Sequence, residues 1–210
     1  MPAPALLCLV DADAVADDDL LRFRGWLGPG ETARYQRFVR AQRQRQFVVG
    51  RMLLRLVLSR LLGVAPQDIR LEEQIAKAPR LIAPAAKGGL PGFSIAHSGR
   101  WVACAASAQT ALGLDIEMMD AGRDLAALAE QAFDSAEMAQ WQRLRTLPDA
   151  QRVEGFYRLW SEKEARFKLG LAAGGHCVVL PHAELSMVLC SELPLDQPKV
   201  EIVTLPSSIP

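Results

Sequence analysis

Aromatic residues make up only 6% of these 210 residues, and there are three histidines. No uninterrupted apolar run approaches the roughly 18 residues of a membrane-spanning helix. The stretch Ala5-Leu6-Leu7-Cys8-Leu9-Val10 is short, has no basic flank and leads into acids rather than a small-residue cleavage site, so no targeting segment is read. Neither sign of charge is in excess: Lys+Arg and Asp+Glu both number 24. That balance supplies no bulk attraction to nucleic acid or to a membrane surface, and no basic motif is interleaved with aromatics. The four cysteines (Cys8, Cys104, Cys177, Cys190) lack CxxC spacing and lie in apolar runs. This argues against a cysteine metal site and reads as buried free thiols in a reducing cytoplasm. Short-period repeats and low-complexity segments are absent as well.

What is present suits a soluble globular chain of one large or two small domains, with 50% hydrophobic and 23% charged residues. A buried strand is expected at residues 5–10. Asp17-Asp18-Asp19 can cap a helix around Leu20–Leu27, which Gly28-Pro29-Gly30 ends. Residues 31–62 read as one long helix or two abutting helices closed by Gly63. From Arg22 to Arg60 there are ten arginines against a single acid, Glu31. Arg34, Arg37 and Arg40, then Arg51 and Arg55, recur at spacings that keep them along one side. Residues 69–91, with three prolines, read as loop. Strands follow at 93–97, 101–107 and 111–117, the first two joined by a tight Ser98-Gly99-Arg100 hairpin. A helical region at 124–146 contains a capping box at Asp134–Glu137. A second helix runs from Asp149 to Leu169 with Gly170 at its end, and the tail has strand-like pieces at 177–180, 184–190 and 200–205. A coarse strand, helix, strands order appears twice, dividing near 108–112. The fold class expected is α+β, with residues 1–108 and 109–210 as pseudo-twofold-related halves around a cleft.

Alternation places Leu112, Leu114 and Ile116 on one face of a strand and Gly113, Asp115 and Glu117 on the other. Two carboxylates there suit Mg²⁺, with Gly113 leaving room for a ligand; a solvent-facing strand edge is the alternative. In the later helix Trp160, Glu164 and Lys168 share one column, with Phe156, Trp160 and Phe167 on its packed side. A surface Glu–Lys pair is the alternative there. His97 opens the hairpin, where turn amides and an imidazole can meet phosphate oxygens, or it is a satisfied turn residue. His176 and His182 read as structural or surface residues. The arginine run reads as a solvated helix face, a pocket for a phosphorylated small molecule, or a nucleic-acid surface.

Taken in order, these segments resemble the 4′-phosphopantetheinyl transferases, specifically the Sfp-type group. The motifs are Gly50-Arg51-Met52-Leu53-Leu54-Arg55, Phe93-Ser94-Ile95-Ala96-His97-Ser98-Gly99, Gly113-Leu114-Asp115-Ile116-Glu117 and Trp160-Ser161-Glu162-Lys163-Glu164 with Lys168. The resemblance implies transfer of the phosphopantetheine arm of coenzyme A to a serine of an apo acyl or peptidyl carrier protein, releasing 3′,5′-ADP. A non-catalytic coenzyme A or nucleotide-binding module, or a Mg²⁺-dependent pyrophosphate hydrolase, is the alternative. It further implies Asp115, Glu117 and Glu164 around Mg²⁺, Glu164 as general base and Lys168 at the leaving phosphate. Coenzyme A contacts are implied for Arg34, Arg51, Lys77, His97 and Lys168, with Lys163 a weaker candidate, and a monomer is expected. Three departures stand out. Ala96 replaces a polar residue before the histidine, the Gly-Lys-Pro loop appears as Ala76-Lys77-Ala78-Pro79, and only a short tail follows Lys168.

Overall fold

The computed structural model describes residues 1–75, 78–84, 89–170 and 174–205. Its architecture is α+β, with nine strands and six helices among the described residues. The first sheet has the order β4-β5-β1-β9, from β1 (Leu6–Asp11), β4 (Gly92–Ser98), β5 (Trp101–Ser107) and β9 (Val200–Ile202). The second has the order β6-β8-β7, from β6 (Leu112–Met118), β7 (His176–Leu180) and β8 (Leu185–Ser191).

Period-two alternation sorts the first sheet's side chains onto two faces. Cys8 and Val10 of β1, with Val102 and Cys104 of β5, pack against the 22-residue helix α3 (Ala41–Leu62). The intervening Leu7, Leu9, Ala103 and Ala105 meet Leu112, Leu114 and Ile116 of β6 together with Met187 and Leu189 of β8. On the outer face of the second sheet, Val188 and Cys190 pack on Ala165 of α6 (Asp149–Leu169). Two further helices, α4 (Leu125–Ala132) and α5 (Ser135–Leu144), close a satellite core in which Phe156 of α6 meets Phe133 and Trp141 at 5.5 and 5.3 Å between ring centroids.

Several boundaries differ from the sequence reading. The helical stretch at 31–62 is two helices, α2 (Pro29–Gln36) and α3. The backbone extends at Arg40 (φ −86°, ψ 127°), and the Gln44 side chain donates to the Phe38 carbonyl at 2.8 Å, satisfying the chain where it leaves helical geometry. In α1 (Asp17–Arg24) the three aspartates form the first turn behind an Ala16 cap, where they still face the positive end of the helix dipole. The stretch at 69–91 is not all loop: β2 (Arg70–Glu72) and β3 (Arg80–Ala83) form an antiparallel ribbon that buries Leu71 and Leu81. Region 124–146 divides at Asp134, whose carboxylate accepts from the Ala136 and Glu137 amides and starts α5 as a new helix.

Cys177 and Cys190 are not free thiols. They face each other across β7 and β8 and form a disulfide. Cys8 and Cys104 are the buried free pair, and burial pushes the Cys8 thiol up to about 11. The tail's last strand, β9, pairs parallel to β1 and so joins the first sheet. Among the described residues no helix is long and apolar enough to cross a membrane.

Candidate active site

The site begins with the packing of α6 on β6. A Cβ on Gly113 would sit 2.0 Å from the Ala165 carbonyl oxygen and 2.7 Å from the Leu169 nitrogen. Gly113 therefore makes room for the helix backbone, not for a ligand as its position beside Asp115 had suggested. This close approach brings Lys168 over the strand. Its Nζ donates to the Leu114 carbonyl at 3.0 Å and to Asp115 Oδ1 at 2.8 Å. The opposite oxygen, Asp115 Oδ2, is buried and has no hydrogen-bond partner; the nearby Ser161 hydroxyl falls short of bonding geometry. Burial pushes the Asp115 carboxyl up to about 6, against the opposing pull of Lys168.

Two serines of β4 join the sheets beside this pair. Ser94 Oγ accepts from the Leu114 amide and Ser98 Oγ from the Met118 amide, both at 2.9 Å. Ser98 also donates to Glu117 Oε2 at 2.8 Å, fixing that carboxylate beside the hairpin. Burial raises the Glu117 pKa, Ser98 and Lys168 oppose the shift, and the charge of Glu164 adds to it. Asp115, Glu117, Glu164 and Lys168 thus share one field. Among the described residues no group of three or more His, Cys, Asp or Glu side chains is preassembled to hold a metal ion. The orphaned, buried Asp115 Oδ2 and the hard-oxygen donors nevertheless suit a hard divalent cation.

A cavity of about 950 Å³ opens beside the pair, lined by arginines of α2 and α3, by β4 and by the last turn of α6. Arg34 and Arg51 both reach it, but neither is free. Glu73 takes Arg34 Nη1 at 2.7 Å and Arg51 Nη2 at 2.5 Å, and Arg51 lies 4.6 Å from the Phe47 ring centroid. Behind them Arg55 is locked to buried Glu31 at 2.6 Å. His97 opens onto the cavity, and protein packed around its ring, followed by the charge of Arg43, lowers its pKa below 6.5. Its neighbour Ala96 is buried between the two sheets, on the face of β4 opposite His97. Lys77 lies outside the described residues.

Phe167 is 79% exposed and borders the cavity, rather than packing with Phe156 and Trp160 as the helical pattern suggested. Lys163 points the other way and pairs with Glu137 of α5 at 2.6 Å. Lys163→Ala is therefore expected to leave turnover within about threefold of the parent and to cost less than about 1 kcal/mol in urea unfolding, since both partners are partly exposed. Arg43, Glu73, Ser94, Ser98 and Ser161 were not singled out from sequence. For Arg43 the available pointer was its i, i+4, i+8 alignment with Phe47 and Arg51.

Cations along one wall and a carboxylate–lysine pair at one end suit a ligand carrying several phosphates. Residues 16–109 match the family described as 4′-phosphopantetheinyl transferase, N-terminal, and residues 111–188 match the 4′-phosphopantetheinyl transferase superfamily. The 4′-phosphopantetheinyl transferase HetI of Nostoc sp. is 33% identical over 161 residues, covering 77% of this chain and 65% of HetI. The putative 4′-phosphopantetheinyl transferase slr0495 of Synechocystis sp. is 29% identical over 190 residues, covering 89% and 73%. The 4′-phosphopantetheinyl transferase Sfp of Bacillus subtilis is 30% identical over 150 residues, covering 70% and 61%. The matches span about two thirds of the length of these relatives. The chain belongs to the 4′-phosphopantetheinyl transferase superfamily.

Proposed function

We propose that this chain transfers the 4′-phosphopantetheine arm of coenzyme A to a serine hydroxyl of an apo acyl or peptidyl carrier protein, releasing 3′,5′-ADP. The observation that carries this reading is the Lys168–Asp115 pair at one end of an arginine-lined cavity, with Glu117 and Glu164 in the same electrostatic field. The serine oxygen attacks the phosphorus that bears pantetheine, and a new P–O bond forms as the pyrophosphate P–O bond breaks. Glu164, half-buried, takes the serine proton. Lys168, already drawn to the Leu114 carbonyl and Asp115, offers its ammonium to the departing phosphate. Asp115 and Glu117, with Glu164, are the side chains that would hold Mg²⁺. Bound there, the ion would offset charge on the two phosphates.

The layers support reading the molecule as two pseudo-twofold halves, 1–108 and 109–210. Each half builds most of one sheet with a long helix on its outer face, α3 and α6 respectively, while β9 of the second half completes the first sheet. Because both halves contribute to one cavity within a single chain, the active unit is read as a monomer, working in the cytoplasm.

The test is a mass measurement. Protein with coenzyme A and Mg²⁺ should add the phosphopantetheine mass to apo carriers of fatty-acid, polyketide or nonribosomal-peptide type. No mass gain on any carrier, with a known transferase active in parallel, would refute the reading. Coenzyme A binding without transfer would identify a non-catalytic module, and ADP release without any carrier a pyrophosphate hydrolase.

A further inference from the structure

Among the described residues five basic side chains line the cavity: Arg34, Arg43, Arg51, Arg80 and Lys168. Four of them already have a carboxylate partner within the chain, Arg34 and Arg51 sharing one. Glu73 holds Arg34 and Arg51, Glu72 holds Arg80 at 2.7 Å, and Asp115 holds Lys168. Arg43 is different. Among the described residues its partners are neutral: the Gln46 side-chain oxygen at 3.1 Å and the two ring nitrogens of His97, which lie 3.2 and 3.3 Å from its Nη1. The Gln46 amide in turn donates to the Gly99 carbonyl at 2.6 Å, so the arginine is braced against the hairpin that carries His97.

We propose that Arg43, held against the His97 ring, is the cavity's primary receptor for a phosphate anion, ahead of Arg34 and Arg51. The proposal rests on the phosphate-ligand part of the reading above, not on catalysis. An incoming phosphate meets Arg43 without displacing any carboxylate. To use Arg34 or Arg51 it must compete with Glu73, whose bridge is short and shielded, and a like charge approaching Glu73 is repelled. A charge-assisted Arg–phosphate contact contributes roughly 1.5–3 kcal/mol, or about ten- to a hundredfold in affinity. An arginine that must first surrender a carboxylate nets much less. Arg43 is exposed, so replacing it removes no buried packing.

The experiment is calorimetric titration in EDTA, with coenzyme A and with 3′-dephospho-coenzyme A as probes. The proteins are the parent, Arg43→Gln, Arg43→Lys and Arg34→Gln, each checked for an unchanged unfolding midpoint. Arg43→Gln is expected to weaken coenzyme A at least tenfold, Arg43→Lys to recover part of that loss, and Arg34→Gln to weaken it less than fivefold. If Arg43→Gln weakens both probes, the phosphate received is in the pyrophosphate; if only coenzyme A is weakened, it is the 3′-phosphate. Either pattern upholds the proposal. It is overturned if Arg43→Gln binds within threefold of the parent, if Arg34→Gln loses as much, or if the parent binds neither probe. Binding with the expected pattern but no transfer to a carrier would leave this inference standing and sink the transferase reading alone.

Discussion

Asp115→Asn is expected to cut transfer by about a thousandfold or more while making the protein more stable at pH 8. The two effects share a cause. Asp115 is 4% exposed, its Oδ2 has no partner, and Lys168 compensates only one oxygen. Burial outweighs the lysine and lifts the carboxyl from 3.8 to about 6. A folded-state pKa above the unfolded value means that the stabilising contribution is fully present below pH 3.8 and is lost as pH rises through about 6. A shift of about two units corresponds to at most about 3 kcal/mol, a large share of a typical folding free energy.

Asparagine keeps the volume and an acceptor for Lys168 but carries no charge. In EDTA its denaturation free energy should exceed the parent's by about 1–3 kcal/mol at pH 8, with the advantage shrinking as pH falls through 6. Added Mg²⁺ should then stabilise the parent and leave the variant nearly unmoved, a readout independent of turnover. An advantage that did not change between pH 5 and 8 would mean that Asp115 does not carry the burial cost assigned to it. Transfer within tenfold of the parent would show that the carboxylate is not needed at the metal.

Much of this arrangement was legible because local rules agree with the fold. The alternation at 112–117 set the faces of β6, and Gly170 marked the end of α6 with a positive φ of 83°. Gly63 did the same for α3, and Ser98-Gly99 marked the hairpin. What escaped depends on partners remote in sequence. The ribbon β2–β3 is too short and too rich in neighbouring prolines for periodicity to register. The Cys177–Cys190 pair exists only through the register of β7 on β8. Within a run of ten arginines, nothing local marks Arg43 as the one that lines the cavity without a carboxylate among the described residues, because that distinction is made by Glu73, Glu72 and Asp115 elsewhere in the chain. Phe167 was misread because a helix end at a cavity need not bury every aromatic on its apolar side.

Gly113→Ala should be the most damaging small substitution in the site. The added methyl would meet the Ala165 oxygen at 2.0 Å, the Ala165 carbonyl carbon at 3.0 Å and the Leu169 nitrogen at 2.7 Å. These are backbone atoms of one helix, so no side-chain rotation can relieve the overlap. Helix α6 must lift from β6, carrying Glu164 and Lys168 with it. Overpacking of this kind costs about 1–3 kcal/mol or more, and a displacement near 1 Å at a reacting group can cost about a hundredfold in rate. The expected outcome is a lower urea midpoint together with a fall in kcat of about a hundredfold or more. KM for coenzyme A should change little, since Arg43 and His97 stand on the other wall. Gly155→Ala is the control within the same helix. The three atoms nearest to its methyl all belong to the Leu144 side chain, from 2.9 Å, which can turn aside, and alanine is favoured over glycine in a helix interior by up to about 1 kcal/mol. That variant should stay near the parent in both stability and rate. If Gly113→Ala behaved like Gly155→Ala, the close contact of α6 with β6 could not be what positions Lys168 on Asp115.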